Sequence, residues 1–64
     1  MVSVADNIRR LRIEKGFSQA ILAEKIGTQR QRISEWENGK VSPTADSIIK
    51  MAKALGIEPA DLFK

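Results

Sequence analysis

The sequence has no cysteine and no histidine, and among its 64 residues there are only two prolines, two phenylalanines and one tryptophan. Those absences exclude a disulfide framework, a zinc site of the usual Cys/His kind, a haem or iron-sulfur centre, and Ser-His-Asp or Cys-His catalysis. Serines, lysines and carboxylates remain, but no pair of them shows a catalytic spacing, so neither an enzyme nor a bound cofactor or metal is expected. No apolar run approaches the ~18 residues that a membrane span needs. The opening Met1-Val2-Ser3-Val4-Ala5-Asp6 lacks the basic segment and long apolar stretch of a secretory signal, which leads us to expect a cytoplasmic protein. Sixty-four residues leave room for one small domain, residues 1–64, without an effector domain or an evident small-molecule effector site.

What is present is a mixture of 42% hydrophobic and 30% charged residues, the composition of a chain with a small apolar core. The net charge of +3 is unevenly placed: residues 1 to 40 hold eight basic and five acidic side chains, and residues 41 to 64 hold three of each. A basic first two thirds is compatible with a polyanionic partner, although a net +3 does not identify one.

Apolar residues recur with helical periodicity, and no sustained two-residue alternation argues for strands. Five short helices are predicted. In the first, Ser3 is the cap, Asp6 complements the helix N-terminus, and Val4, Ile8 and Leu11 share a face. Gly16 ends it, and Phe17 is placed to fold back onto Leu11. The second runs from a Ser18 cap to Gly27, with Leu22, Ala23 and Ile26 inward. The third begins at Thr28 or Gln29, where Thr28 with Gln31 has the spacing of a capping box, and reaches about Asn38. After the polar loop Lys40-Val41-Ser42-Pro43, the fourth begins at a Thr44 cap, carries Ile48, Met51, Ala52 and Leu55 on one stripe, and stops at Gly56. Pro59 suits the first turn of a final short helix in which Leu62 and Phe63 offer apolar contacts.

Two short helices joined by a tight glycine-containing turn are the physical requirement of a helix-turn-helix, here about residues 18–38. Ala23 supplies the small residue where the helices touch, Gly27 the turn, and Ile33 with Trp36 the inward face. Together with the flanking residues, the series Leu11-Arg12, Lys15-Gly16, Ser18-Gln19, Leu22-Ala23, Gly27, Ile33-Ser34, Trp36-Glu37-Asn38-Gly39, Pro43, Ala52, Leu55-Gly56 and Leu62-Phe63 resembles the Cro/C1-type helix-turn-helix family of transcriptional regulators over nearly the whole chain. The resemblance implies an all-α, five-helix, lambda-repressor-like domain. It also implies sequence-specific binding of double-stranded DNA, with the third helix in the major groove.

Stepping ~100° per residue around the third helix, with the core on Ile33 and Trp36, places Gln31, Ser34, Glu35 and Asn38 outward and Arg30 and Arg32 beside them. Arg30 and Gln31 are chemically suited to guanine and adenine edges. The resemblance implies base reading by Arg30, Gln31 and Glu35. It implies phosphate or flanking contacts by Ser18, Gln19, Arg32, Ser34, Asn38 and Lys40. Gln19 has a physical rationale of its own, because the first turn of a helix favours an anion. Arg12 and Glu37 look like the family's buried ion pair.

Trp36, on the Ile33 face, reads as core rather than as a platform for stacking a base. Ala20 and Ile21 stand where the family usually has acidic residues, leaving the second helix without its usual capping-box glutamate and with an isoleucine to expose. Ala45 stands where a leucine is common, and Gln29 where a capping Ser or Thr is common.

One such domain covers about half a site, so a homodimer on a near-palindromic operator is expected, its recognition helices ~34 Å apart. The resemblance implies pairing through the fourth and fifth helices, with Val41, Ile49, Ile57, Pro59, Ala60 and Phe63 as candidates. A phage-type repressor, a restriction-modification controller and an antitoxin all fit this class. The alternative from another class is a protein-interaction module on the same fold, which should present aromatic and apolar residues rather than Arg30, Gln31, Arg32, Ser34 and Asn38.

Overall fold

A computed structural model describes residues 3–64. Four α-helices, α1 (Val4–Glu14), α2 (Gln19–Ile26), α3 (Arg30–Glu37) and α4 (Ala45–Leu55), are followed by a 3₁₀ helix over Pro59–Phe63. The fifth segment is thus helical as expected, but wound more tightly. It is five residues long, its proline donates no hydrogen bond, and the Asp61 N–H reaches the Glu58 carbonyl three residues back at 2.9 Å.

Three of the helix starts are set by hydroxyl caps. Ser3 Oγ accepts from the Asp6 N–H at 3.1 Å while Asp6 accepts in return from the Ser3 N–H at 3.4 Å. Ser18 Oγ accepts from the Ile21 N–H at 3.0 Å, and Thr44 Oγ1 from the Ser47 N–H at 3.1 Å. Each such bond satisfies one of the otherwise unpaired amides of a first helical turn. Of the two starts expected for α3, Gln29 occupies the cap position; its side chain makes no capping bond, and the capping box of Thr28 with Gln31 does not form. Thr28 is already committed, because its N–H closes α2 by bonding to the Ala23 carbonyl at 2.9 Å. That closure needs Gly27 at φ +76°, a left-handed conformation that side chains with a Cβ rarely adopt.

Ile8, Leu22, Ala23, Ile26, Ile33, Trp36, Ile48, Met51, Ala52, Leu55 and Leu62 form one buried cluster, and Val4, Leu11, Phe17, Ala54 and Ile57 pack against it. Within it, α2 lies between α3 and α4, while α1 packs on α3 and on the 3₁₀ helix. Phe63 does not join this core. It is 63% exposed, because Leu62 takes the inward position of the short final helix.

Among the described residues, one polar side chain is fully buried. Asn7 sits between Val4 and Leu11 on the apolar face of α1, and its Nδ2 donates to the carbonyls of Leu62 at 2.9 Å and Lys64 at 3.0 Å. The amide therefore ties the first helix to the last. At the far end, the Lys64 ammonium at 2.8 Å and the Glu58 N–H hold the exposed Asp61 carboxyl below the usual carboxylate range.

Replacing Asn7 with alanine would leave the Leu62 carbonyl buried without its donor, at a cost of about 1–3 kcal/mol. A core of this size supplies only ~3–5 kcal/mol, so Asn7→Ala should lose a large share of its stability in urea denaturation. Arg10→Ala removes a long, part-buried bond to Asn7 Oδ1 and a solvent-exposed pair with Glu14, and because it opens Oδ1 to water it should cost less than about 1 kcal/mol. Equal losses in the two variants would contradict this assignment.

Candidate nucleic-acid interface

The outward face of α3 begins at an open helix end. Arg30, Gln31 and Arg32 are exposed in its first turn, Ser34 and Glu35 are half-buried, and Asn38 and Lys40 are exposed beyond its last turn. Ile33 and Trp36 are buried on the opposite side, so the tryptophan is core. Asn38 Nδ2 lies 3.4 Å from Ser34 Oγ, one turn back along the same face. Among the described residues, Arg30, Arg32 and Lys40 take part in no ion pair. These cations are therefore not engaged by carboxylates of the chain itself, and a polyanion would not have to displace an internal partner.

What holds this helix in place is a carboxylate. Glu37, in the last turn of α3, has a side chain only 3% exposed, and Arg12 of α1, 11% exposed, grips it with two parallel bonds: Nε to Oε2 at 2.6 Å and Nη2 to Oε1 at 3.0 Å. This is the bidentate geometry in which arginine is most specific. The remaining guanidinium nitrogen, Nη1, donates to the Phe17 carbonyl at 2.8 Å and so anchors the turn that leads into α2. The ion pair expected between Arg12 and Glu37 is thus present and desolvated.

A third donor converges on the same carboxylate. Gln19 Nε2, from the first turn of α2, donates to Glu37 Oε1 at 3.1 Å. A carboxylate oxygen only accepts, so the nitrogen of the amide must be the end that faces it. That choice leaves the second N–H of Nε2 available to another acceptor. The neighbouring Ser18, exposed at the cap, uses its hydroxyl as an acceptor for the Ile21 amide. Ile21 itself is 43% exposed, as its place in the second helix led us to expect. Among the described residues no cluster of acidic, cysteine or histidine side chains suitable for a metal is present.

The Gln19–Glu37 bond escaped the sequence because nothing in a separation of 18 residues marks two polar side chains as neighbours. Asn7 left a signal: it falls at the helical spacing of Val4, Ile8 and Leu11, and a polar residue inside an apolar stripe is buried with partners.

The comparisons with known proteins come to the same arrangement. The family described as Helix-turn-helix matches residues 8–62. Multiprotein-bridging factor 1c of Arabidopsis thaliana is 43% identical over 51 residues, which cover 80% of this chain but only 34% of that protein. The restriction-modification controller protein C.AhdI of Aeromonas hydrophila superposes with a TM-score of 0.92 at 39% identity, over 97% of this chain and 94% of its own. The P22 c2 repressor, solved in complex with a synthetic operator, superposes at 0.93 with 28% identity, over 100% of this chain and 97% of its own. This chain thus spans about a third of the bridging factor and nearly the whole of the controller and repressor chains.

Removing the carboxylate should be costly, since it leaves a desolvated guanidinium without its partner. Glu37→Ala is expected to lose about 3–5 kcal/mol, enough to unfold most of a domain this small. The double replacement Arg12→Met with Glu37→Leu should recover much of that loss, because no unpaired charge remains. Thermal melts followed by circular dichroism would check both, and a Glu37→Ala variant melting within a degree or two of the parent would contradict the burial of the pair.

Proposed function

The chain belongs to the helix-turn-helix family, and from that premise we propose that it regulates transcription by binding a near-palindromic operator as a homodimer, with α3 in the major groove. The observation that carries the proposal is the polar face of α3, cationic at its first turn, with three basic side chains unpaired among the described residues. An α-helix fits the major groove, and side chains near its N-terminus lie nearest the base edges.

Arg30 would grip guanine at O6 and N7, Gln31 would donate and accept at adenine, and Glu35 would accept from the cytosine amino group. Arg32, Ser34, Asn38 and Lys40 would reach phosphates or flanking base edges, and so would the first turn of α2, where Ser18 and Gln19 lie. For Gln19 the second amide hydrogen, left over from the bond to Glu37, is the donor aimed at a phosphate.

Pairing would use the far side of the molecule. Val41 is exposed, Ile49 of α4 is 57% exposed and Phe63 is 63% exposed. Ala60 is also at the surface and Ile57 and Pro59 are half-buried, so α4, the loop before it and the 3₁₀ helix each carry apolar side chains that a second copy would cover. Apolar side chains presented this way favour burial against a second copy.

The experiment is operator affinity by fluorescence anisotropy across a salt series. With Arg32 and Lys40 on phosphates in both subunits, roughly four phosphates are neutralised, at a slope of log K against log salt of about −0.9 each. Lys40→Ala should flatten the slope by about 2 in the dimer, one per subunit, with the preferred sequence unchanged. Arg30→Ala or Gln31→Ala should relax selection at one or two base pairs, at ~1–3 kcal/mol of discrimination, with non-specific binding nearly intact. A salt-independent affinity, or no binding to any duplex alongside tight binding to a protein, would instead identify an interaction module.

A further inference from the structure

A groove of about 450 Å³ between α2 and α4 is lined by Lys25, Ile26, Lys50, Lys53 and Ala54. No carboxylate is among the lining residues. Ile26 is nearly buried and Ala54 half-buried, and both belong to the apolar part of the lining.

Each lysine has a local explanation. Lys25 and Lys53 lie in the last turns of α2 and α4, where carbonyl ends favour cations. The Lys25 ammonium stands 4.9 Å from the centre of the Phe17 ring, and Lys50 is 3.1 Å from Asp46 one turn earlier. None of these explains why three lysines line one groove together with Ile26 and Ala54. The Lys50–Asp46 pair is solvent-exposed on both sides and weak enough to exchange partners. Lys53 is in no ion pair among the described residues.

We propose that this groove docks an acidic peptide segment of a partner protein, with one aliphatic side chain on Ile26 and Ala54 and flanking carboxylates on Lys25, Lys50 and Lys53. The volume lies within the ~300–1,000 Å³ of pockets that hold small ligands, so it admits a few side chains and not a folded domain. Charge and floor together select the occupant. A nucleic-acid backbone supplies charge but nothing apolar to cover Ile26 and Ala54, whereas a carboxylate-flanked aliphatic residue supplies both. The lining residues belong to α2 and α4, whereas the proposed DNA-reading side chains are on α3, so the two surfaces draw on different side chains.

The test uses the intact chain and a fluorescein-labelled synthetic peptide in which glutamates flank a single central leucine. Anisotropy should show saturable binding at low salt, weakened by roughly tenfold or more in the charge-reversed double variant Lys50→Glu, Lys53→Glu. The reversal removes the Lys50–Asp46 pair and opposes the carbonyl end of α4, so the variant should melt several degrees below the parent, and circular dichroism should show it folded at the temperature of the binding assay. Serine in place of the leucine should weaken binding too, and the methyl resonances of Ile26 and Ala54 should shift in the parent as peptide is added. A short random-sequence DNA duplex should not displace the peptide. Absence of binding, an affinity unchanged by charge reversal, methyl groups that do not respond, or displacement of the peptide by the duplex would each overturn the proposal, the last by assigning the groove to DNA.

Discussion

The Glu37 carboxylate is the constraint on which the rest of the molecule depends. Arg12 reaches it from α1, Gln19 from α2, and it stands at the end of α3, so one buried anion registers three helices. Its desolvation is costly, and three N–H donors offset that cost only while all three helices keep their places. Breaking the set strands a charge in the interior. The same guanidinium also holds the Phe17 carbonyl, so the turn into α2 is fixed by the residue that fixes the end of α3. A helix of eight residues has little stability alone, and this tie, with Ile33 and Trp36 packed beneath, is what presents its outer face at a defined angle.

Around that centre the small core is closed by local devices. Hydroxyl caps begin α1, α2 and α4, and the amide one residue past Gly27 closes α2. Asn7 performs at the opposite end of α1 what Arg12 does near its C-terminus, joining the helix to a distant segment through buried polar atoms. Two polar ties on one helix help a short chain without cysteine keep α1 and the last helix in register. They also leave the polar face of α3 and the lysine-lined groove uncommitted to stability.

Most of the architecture was legible in the residues. The stripe Ile48, Met51, Ala52, Leu55 is buried at the period that revealed it, the Ser3, Ser18 and Thr44 caps bond as their positions suggest, and Gly27 has the positive φ the turn demands. The errors have physical causes. Thr28 had the spacing of a cap for α3, but its amide was spent closing α2, a competition that a pattern of residue types does not reveal. Leu62 and Phe63 both offered apolar contacts, and the pattern did not separate them, yet the short final turn faces only Leu62 inward. The pairing of Arg12 with Glu37 came from the family resemblance and not from spacing, and the third partner, Gln19, came only from the structure. Long-range polar contacts leave no periodic trace. The outward placement of Arg30, Gln31 and Asn38 was readable, since exposure follows from where Ile33 and Trp36 point.

The central claim is that the face opposite Ile33 and Trp36 reads DNA in pairs. Repeated selection of bound duplexes from a random-sequence pool, followed by sequencing, tests it most directly. The account predicts enrichment of a near-palindromic consensus whose half-sites are centred one helical turn, ~34 Å, apart. A pool that never departs from random, or a single unrepeated motif with no two-fold relation, would contradict it.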